Sequence, residues 1–255
     1  MNTLTTLSRS EFTLLLRNRV LLFNAMVMPL LFPIVVLVIG RDDGLPDTVV
    51  SGALEVFALF LLVFLVYYNL LSAYATRRDE LVLKRLRTGE ATDNQILLGP
   101  AVPSFALTVI LTIALTAIIA WLGGGLPVNP VLFVAGLGGG AAMFAALALI
   151  TSSFTRNAEA AQITSLPVIL VAMAGTSFLR NIVPESLDRI IDLTPMAAVL
   201  DLVNLGWLGT TDPESAPLTA AQTFSPAVMP LVVVAAWIVG SVVVAKTHFR
   251  WEPRA

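Results

Sequence analysis

Apolar residues in this chain run in long unbroken blocks rather than in the short alternations of strands. Six stretches are nearly free of charge over about 20 residues: Val20–Gly40, Ala53–Ala73, Gln95–Leu122, Val131–Phe154, Ala160–Leu179 and Ala227–Ala245. A helix rises ~1.5 Å per residue, so each block predicts a helix able to cross ~30 Å of hydrocarbon. Between the blocks lie polar segments of unequal character. Arg41–Gly52 is short and acidic, and Gly123–Pro130 is a Gly/Pro turn. Tyr74–Gly99 is a basic island, and Arg180–Ser225 is long and only partly polar. Leu4–Arg19, ahead of the first block, has Leu and Phe on one helical face and Arg, Ser and Thr on the other. That pattern predicts a helix lying in the headgroup region.

Composition agrees with this pattern and narrows it. Of 255 residues, 57% are hydrophobic and 13% charged, against roughly 25% charged in a soluble domain. The chain is therefore read as an all-α membrane protein, residues 1–255 forming a single transmembrane domain. With no cysteine, disulfides, thiolate metal sites and cysteine nucleophiles are excluded. Charge fixes an expected orientation. Arg9, Arg17, Arg19, Arg77, Arg78, Lys84, Arg85, Arg87, Arg156, Lys246, Arg250 and Arg254 fall on one side, and only Arg41, Arg180 and Arg189 on the other. Because cytoplasmic loops collect Lys and Arg, both termini are expected in the cytoplasm.

Local signals sharpen the picture. Pro29, Pro33, Pro100, Pro103 and Pro167 stand in or at the ends of blocks, where each removes a backbone hydrogen bond. Gly136 and Gly140 form a GxxxG, extended by Ala142, Ala145, Ala146 and Ala148, which predicts a helix that a neighbour approaches closely. In the long segment, Pro184–Asp192 reads as a short helix with Leu187, Ile190 and Ile191 on one face. Pro195–Leu208 is apolar but too short to span, which favours a re-entrant or interfacial helix. Thr210–Pro226 reads as a surface loop. Within the basic island, Asp79–Arg87 predicts a helix with a Glu80–Lys84 pair at i,i+4. Val82, Leu83 and Leu86 supply its apolar contacts, and Arg78, Lys84, Arg85 and Arg87 its polar side. Thr88-Gly89 is a stop signal, and Thr92-Asp93-Asn94-Gln95 a capping box that restarts a helix.

Arg77-Arg78-Asp79-Glu80 followed by Leu83-Lys84-Arg85-Leu86-Arg87-Thr88 resembles the cytoplasmic loop of ABC-2 type permeases, the membrane subunits of ATP-binding-cassette exporters. Ser10–Pro33 is similar to the family's N-terminal interfacial helix and first span, Ser153–Gln162 to its second cytoplasmic turn, and Pro184–Leu205 to its short external helices. Where the family often has Pro after the Arg-Thr pair, this chain has Gly89-Glu90. The resemblance implies six transmembrane helices, an interfacial N-terminal helix and short external helices before the last span.

It also implies a non-catalytic permease in the plasma membrane, exporting drug-like or lipid-like amphiphiles as half of a homodimer or heterodimer. Two copies of a separate ABC ATPase would drive it. Arg77, Arg78, Glu80, Lys84, Arg85 and Arg87 are the expected ATPase-coupling residues, and Asn24 and Asn69 the expected polar positions on the substrate path. No cofactor is expected in the chain itself, ATP belonging to the partner. The sequence has no GxxxxGK[ST] loop, and Lys84 and Lys246 are its only lysines. Membrane lipid is expected around the domain, and no nucleic acid.

Other functions fit less well. A secondary transporter usually places ionisable groups at mid-membrane, whereas Glu55 and Glu159 stand at span ends. An intramembrane enzyme would need acids paired within a span, HExxH or GxSxG, and none of these occurs. A non-transporting membrane scaffold is the reading that composition alone leaves open.

Overall fold

The computed structural model describes residues 9–251 except 11, 14–16, 18, 42–43, 90, 181, 183 and 250. All regular structure among the described residues is helical. Of the helix expected over Leu4–Arg19, residues 9, 10, 12, 13, 17 and 19 are described, each helical, and Thr13 Oγ1 donates to the Arg9 carbonyl at 2.8 Å. The rest of that expectation lies outside the described residues.

The chain then forms α1 (Arg19–Ile39) and α2 (Asp47–Asp79), followed by two short helices, α3 (Val82–Arg87) and α4 (Asp93–Leu98). Next come α5 (Ala101–Trp121), α6 (Pro130–Phe154) and a helix broken in two, α7 (Ala158–Thr164) and α8 (Leu166–Ala174). Short pieces α9 (Ser177–Arg180) and α10 (Asp188–Ile191) lead to α11 (Pro195–Trp207), and α12 (Phe224–His248) closes the bundle. Among the described residues, α2, α5, α6 and α12 are long and apolar enough to cross a membrane. Among the described residues, the first and fifth blocks contribute the apolar helical stretches Ala25–Ile39 and Ala158–Ala174.

Differences from the sequence reading have local causes. The fifth block breaks at Ser165, two residues before Pro167, whose missing N–H and ring disturb the preceding turn. The third block does not start at Gln95: Gly99-Pro100 forms a turn that separates α4 from α5. In contrast, α1 runs through Pro29 and Pro33 without interruption. The second block is longer than expected. With 33 residues, α2 measures roughly 50 Å, so its ends project beyond an apolar layer of ~30 Å. Its middle nine residues, Phe60–Tyr68, wind as a π-helix, a form rare in helices and usually confined to a single turn.

The core is built on α6. Gly136 and Gly140 bring it against α11: a Cβ on Gly136 would lie 3.0 Å from the Leu202 Cβ, and one on Gly140 would lie 3.0 Å from Val199 Cγ2. The reciprocal contact is tighter, since a Cβ on Gly206 would stand 2.3 Å from the Phe133 nitrogen. The neighbour anticipated for the GxxxG face is thus α11, the apolar piece too short to span. It is buried on nearly all sides, with Met196, Val199, Leu202, Val203 and Trp207 inside. By contrast, the face expected on Pro184–Asp192 does not form: Ile191 is buried, but Leu187 and Ile190 are exposed. Exposed apolar residues ring the bundle on α1, α5 and α12 (Val38, Ile113, Val239), a surface suited to hydrocarbon rather than water.

Candidate functional site

The polar connections gather at two ends of the bundle. One end is acidic and uncharged-polar in character. Ser51 Oγ of α2 donates to Asn204 Oδ1 at 3.1 Å, and the Glu55 carboxylate accepts from both the backbone N–H and the Oγ of Ser177. Arg180 pairs with Asp201 at 3.1 Å and also with Asp192. Burial pushes the Asp201 carboxyl above its ordinary range, against the opposing pull of the Arg180 guanidinium. Asn129 caps α6 by accepting from the Val131 and Leu132 N–H groups, and its amide donates to the Ala220 carbonyl and Thr223 Oγ1. The Trp237 indole of α12 donates to the Leu193 carbonyl at 2.8 Å.

The other end brings together the basic island, the turn after α6 and the chain's last described residues. Here α2 ends at Asp79, and Leu81 adopts a left-handed conformation with φ 60°. The break anticipated only after Thr88 therefore has a counterpart at Glu80–Leu81. Glu80 stands in that turn rather than in a helix, so the i,i+4 helical geometry assumed for Glu80 and Lys84 does not hold. In α3 Leu83 is buried and Val82 and Leu86 are half-buried, while Lys84, Arg85 and Arg87 are exposed. Helix α3 stops at Thr88-Gly89, with the Gly89 N–H on the Leu86 carbonyl. The capping box then opens α4: Gln95 N–H donates to Thr92 Oγ1, and Thr92 N–H to Gln95 Oε1. Arg87 pairs with Asp93 at 3.3 Å and lies 4.8 Å from the centre of the Trp251 ring. Phe249 packs edge-on against both Tyr74 and Trp251, so the segment after α12 folds back onto the island.

Arg78 is placed differently from the other cations. Expected on the polar side of the island, it is 1% exposed. Its Nη1 donates to the Ser152 carbonyl at 2.7 Å and its Nη2 to the Thr155 carbonyl, both at the C-terminal end of α6. Carbonyls there carry the negative end of the helix dipole, which a guanidinium meets with two N–H groups. Arg77 is half-buried one residue before it. The signal that could have placed Arg78 is the buried stripe Leu71, Tyr74, Ala75, which one more helical step extends to residue 78.

A second feature is a cleft of about 470 Å³ between α1 and α2, lined by Ala25, Met28, Pro29, Phe60, Phe64 and Leu65 and ending in Tyr68, Asn69 and Ser72. The π-helical segment contributes Phe60, Phe64, Leu65 and Tyr68 to its wall. Phe32 of α1 stacks on Phe60 with centroids 4.7 Å apart and joins the two helices beside it. Asn69 thus lines the cleft, while its amide donates to Ser104 Oγ of α5 at 3.4 Å. The side chain of Asn24 lies outside the described residues.

The arrangement is that of a helical membrane domain with one exposed basic helix–turn–helix and an apolar lateral cleft. No curated protein matches the chain. Residues 2–205, four-fifths of its length, match the family described as ABC-2 type transporter. The chain belongs to that family, and is accordingly a membrane-embedded subunit of an ABC transporter.

Proposed function

We propose that this chain is the permease half of an ATP-driven exporter of amphiphiles, paired with a second permease and driven by two copies of a separate ABC ATPase. Six crossings would place the basic end in the cytoplasm, following the twelve-to-three distribution of Lys and Arg. The observation that carries the reading is α3: Lys84, Arg85 and Arg87 are exposed on a short helix anchored by buried Leu83. A cationic helix projecting from the membrane domain suits a soluble partner with acidic groups, since complementary charge orients and accelerates docking.

Substrate would leave the inner leaflet through the cleft between α1 and α2. Its apolar wall suits an acyl chain or aromatic body, and Tyr68, Asn69 and Ser72 suit a polar head. Export is favoured over ion-coupled transport because the long apolar helices offer hydroxyls and amides but no acid near their middles. The test is reversal of charge at Arg85 and Arg87 together. The double Glu variant is expected to lose copurification of the ATPase, or to hydrolyse ATP without transport. Both functions surviving intact would overturn the reading.

A further inference from the structure

We infer that Arg78 is the positioning residue through which movement of α3 reaches α6. The inference rests on the proposal that the ATPase docks on α3, and it concerns how the displacement is passed on. Helix α3 follows α2 after a two-residue turn, and three backbone hydrogen bonds close that turn: Glu80 N–H to Thr76, Leu81 N–H to Arg78 and Arg85 N–H to Leu81. Leu81, at φ 60°, occupies a region that a bulky residue rarely enters, so the direction of α3 is set at a point with few alternatives. The residue whose carbonyl closes the turn is Arg78, and its guanidinium grips the end of α6 through the Ser152 and Thr155 carbonyls.

That grip is directional. A single planar group bridges two carbonyls on either side of a helix end, and a point-charge ammonium does not reproduce such a bridge. About three turns earlier on α2, Tyr67 Oη donates to Thr151 Oγ1 of α6 at 3.2 Å, fully buried. The seam between α6 and the end of α2 that carries α3 is therefore held by oriented polar contacts in a low-dielectric setting, where rotation about the seam would leave buried polar groups unpaired. Beyond it, the glycine contacts of α6 with α11 extend the packed column to the opposite end. Packed elements of this kind shift between discrete arrangements rather than deforming continuously. A tilt of α3 is thus delivered to α6 as a displacement of its C-terminal end.

The experiment uses the complete complex in vesicles, with Arg78→Lys and Arg78→Met compared with the double charge reversal at Arg85 and Arg87. The Arg78 variants are expected to bind the ATPase and hydrolyse ATP while transport per ATP falls by about tenfold, a typical size for lost coupling between sites. Arg78→Lys should fall between wild type and Arg78→Met. Arg78→Met leaves two buried carbonyls without their guanidinium partner and is the less stable variant, so Arg78→Lys has a second readout. The chain has no cysteine, so spin labels at Thr88→Cys and Arg156→Cys, both exposed positions, report the α3–α6 separation when labelled chains are diluted with unlabelled ones and the ATPase is cysteine-free. In the parent chain that distance should stay the same with and without nucleotide, and in Arg78→Lys it should change with nucleotide. An Arg78→Lys complex with unchanged transport per ATP, or one whose separation is as constant as the parent's, overturns the inference. Retention of ATPase and transport by the Arg85 and Arg87 reversal would instead overturn the docking proposal on which it rests.

Discussion

The two ends of this bundle are held together by different means. At the acidic end, α11 presses backbone to backbone against α6 at Gly206 and Gly136, and α2, α9 and α11 are cross-linked by Ser51–Asn204, Glu55–Ser177 and Arg180–Asp201. At the basic end, α3 is a six-residue helix with one fully buried side chain, Leu83, attached to α6 through Arg78. Where many short contacts converge, relative motion of the helices is costly. Where one short helix hangs on few contacts, it moves as a lever. The contrast suits a device that is pushed at one end and must transmit the push through a stiff column.

The sharpest way to break this contrast is to enlarge Gly206. Its added Cβ would meet the Phe133 backbone, which has no rotamer to yield. Gly206→Val is expected to cost about 3 kcal/mol or more, as overpacking against backbone does. Thermal unfolding in detergent would check it, and a stable variant would mean that the α6–α11 seam is loose.

Next in size is Arg180→Leu, which strips Asp201 of its buried partner. Arg180 is 29% exposed on its side chain, so solvent screening reduces the loss to about 2 kcal/mol at neutral pH. The pH dependence follows from Asp201. Burial raises its carboxyl above the ordinary value of 3.8 even in the parent chain. A raised carboxyl contributes stability below its unfolded value and loses it as pH rises through the folded one. Removing Arg180 raises it further, so the variant's deficit in melting temperature should be largest at pH 7–8 and shrink as pH falls toward the ordinary carboxylate range. A deficit independent of pH would show that Asp201 is not the group left exposed to burial.

What could be read from sequence divides along the same line. The capping box at Thr92–Gln95 and the stop at Thr88-Gly89 were legible because they are local: their donors and acceptors lie within three residues. The GxxxG of α6 announced a close contact but not its partner, since any apolar helix fits a smooth face. That α11 supplies it depends on a pairing across about 60 residues, which periodicity does not encode. Arg78 was misplaced because it stands in a basic run, and only the helical stripe through Tyr74 reveals that it turns inward. The π-helical Phe60–Tyr68 left no trace in a sequence that is uniformly apolar there.

Two smaller changes sharpen the picture of the basic end. Thr92→Ala removes an exposed cap and should cost about 1 kcal/mol, far less than Gly206→Val, measured in the same unfolding assay. Trp251→Ala removes the contact with Arg87 and should cost only about 0.5 kcal/mol. A large loss from either would mean that this end is as tightly constrained as the other.

The central claim is that a separate ATPase docks on the basic end. A single cysteine at Thr88, two residues from Leu86 on α3's exposed terminus, and another at Glu214, in the loop at the opposite end, give unique thiols in an otherwise cysteine-free chain. Each is reacted with a short photo-cross-linker in membranes that retain transport, and the captured peptides are identified by mass spectrometry. The account predicts that Thr88→Cys captures an ATP-binding-cassette subunit bearing a P-loop and that Glu214→Cys does not. Capture from Glu214→Cys, or no such subunit from Thr88→Cys while transport persists, would contradict it.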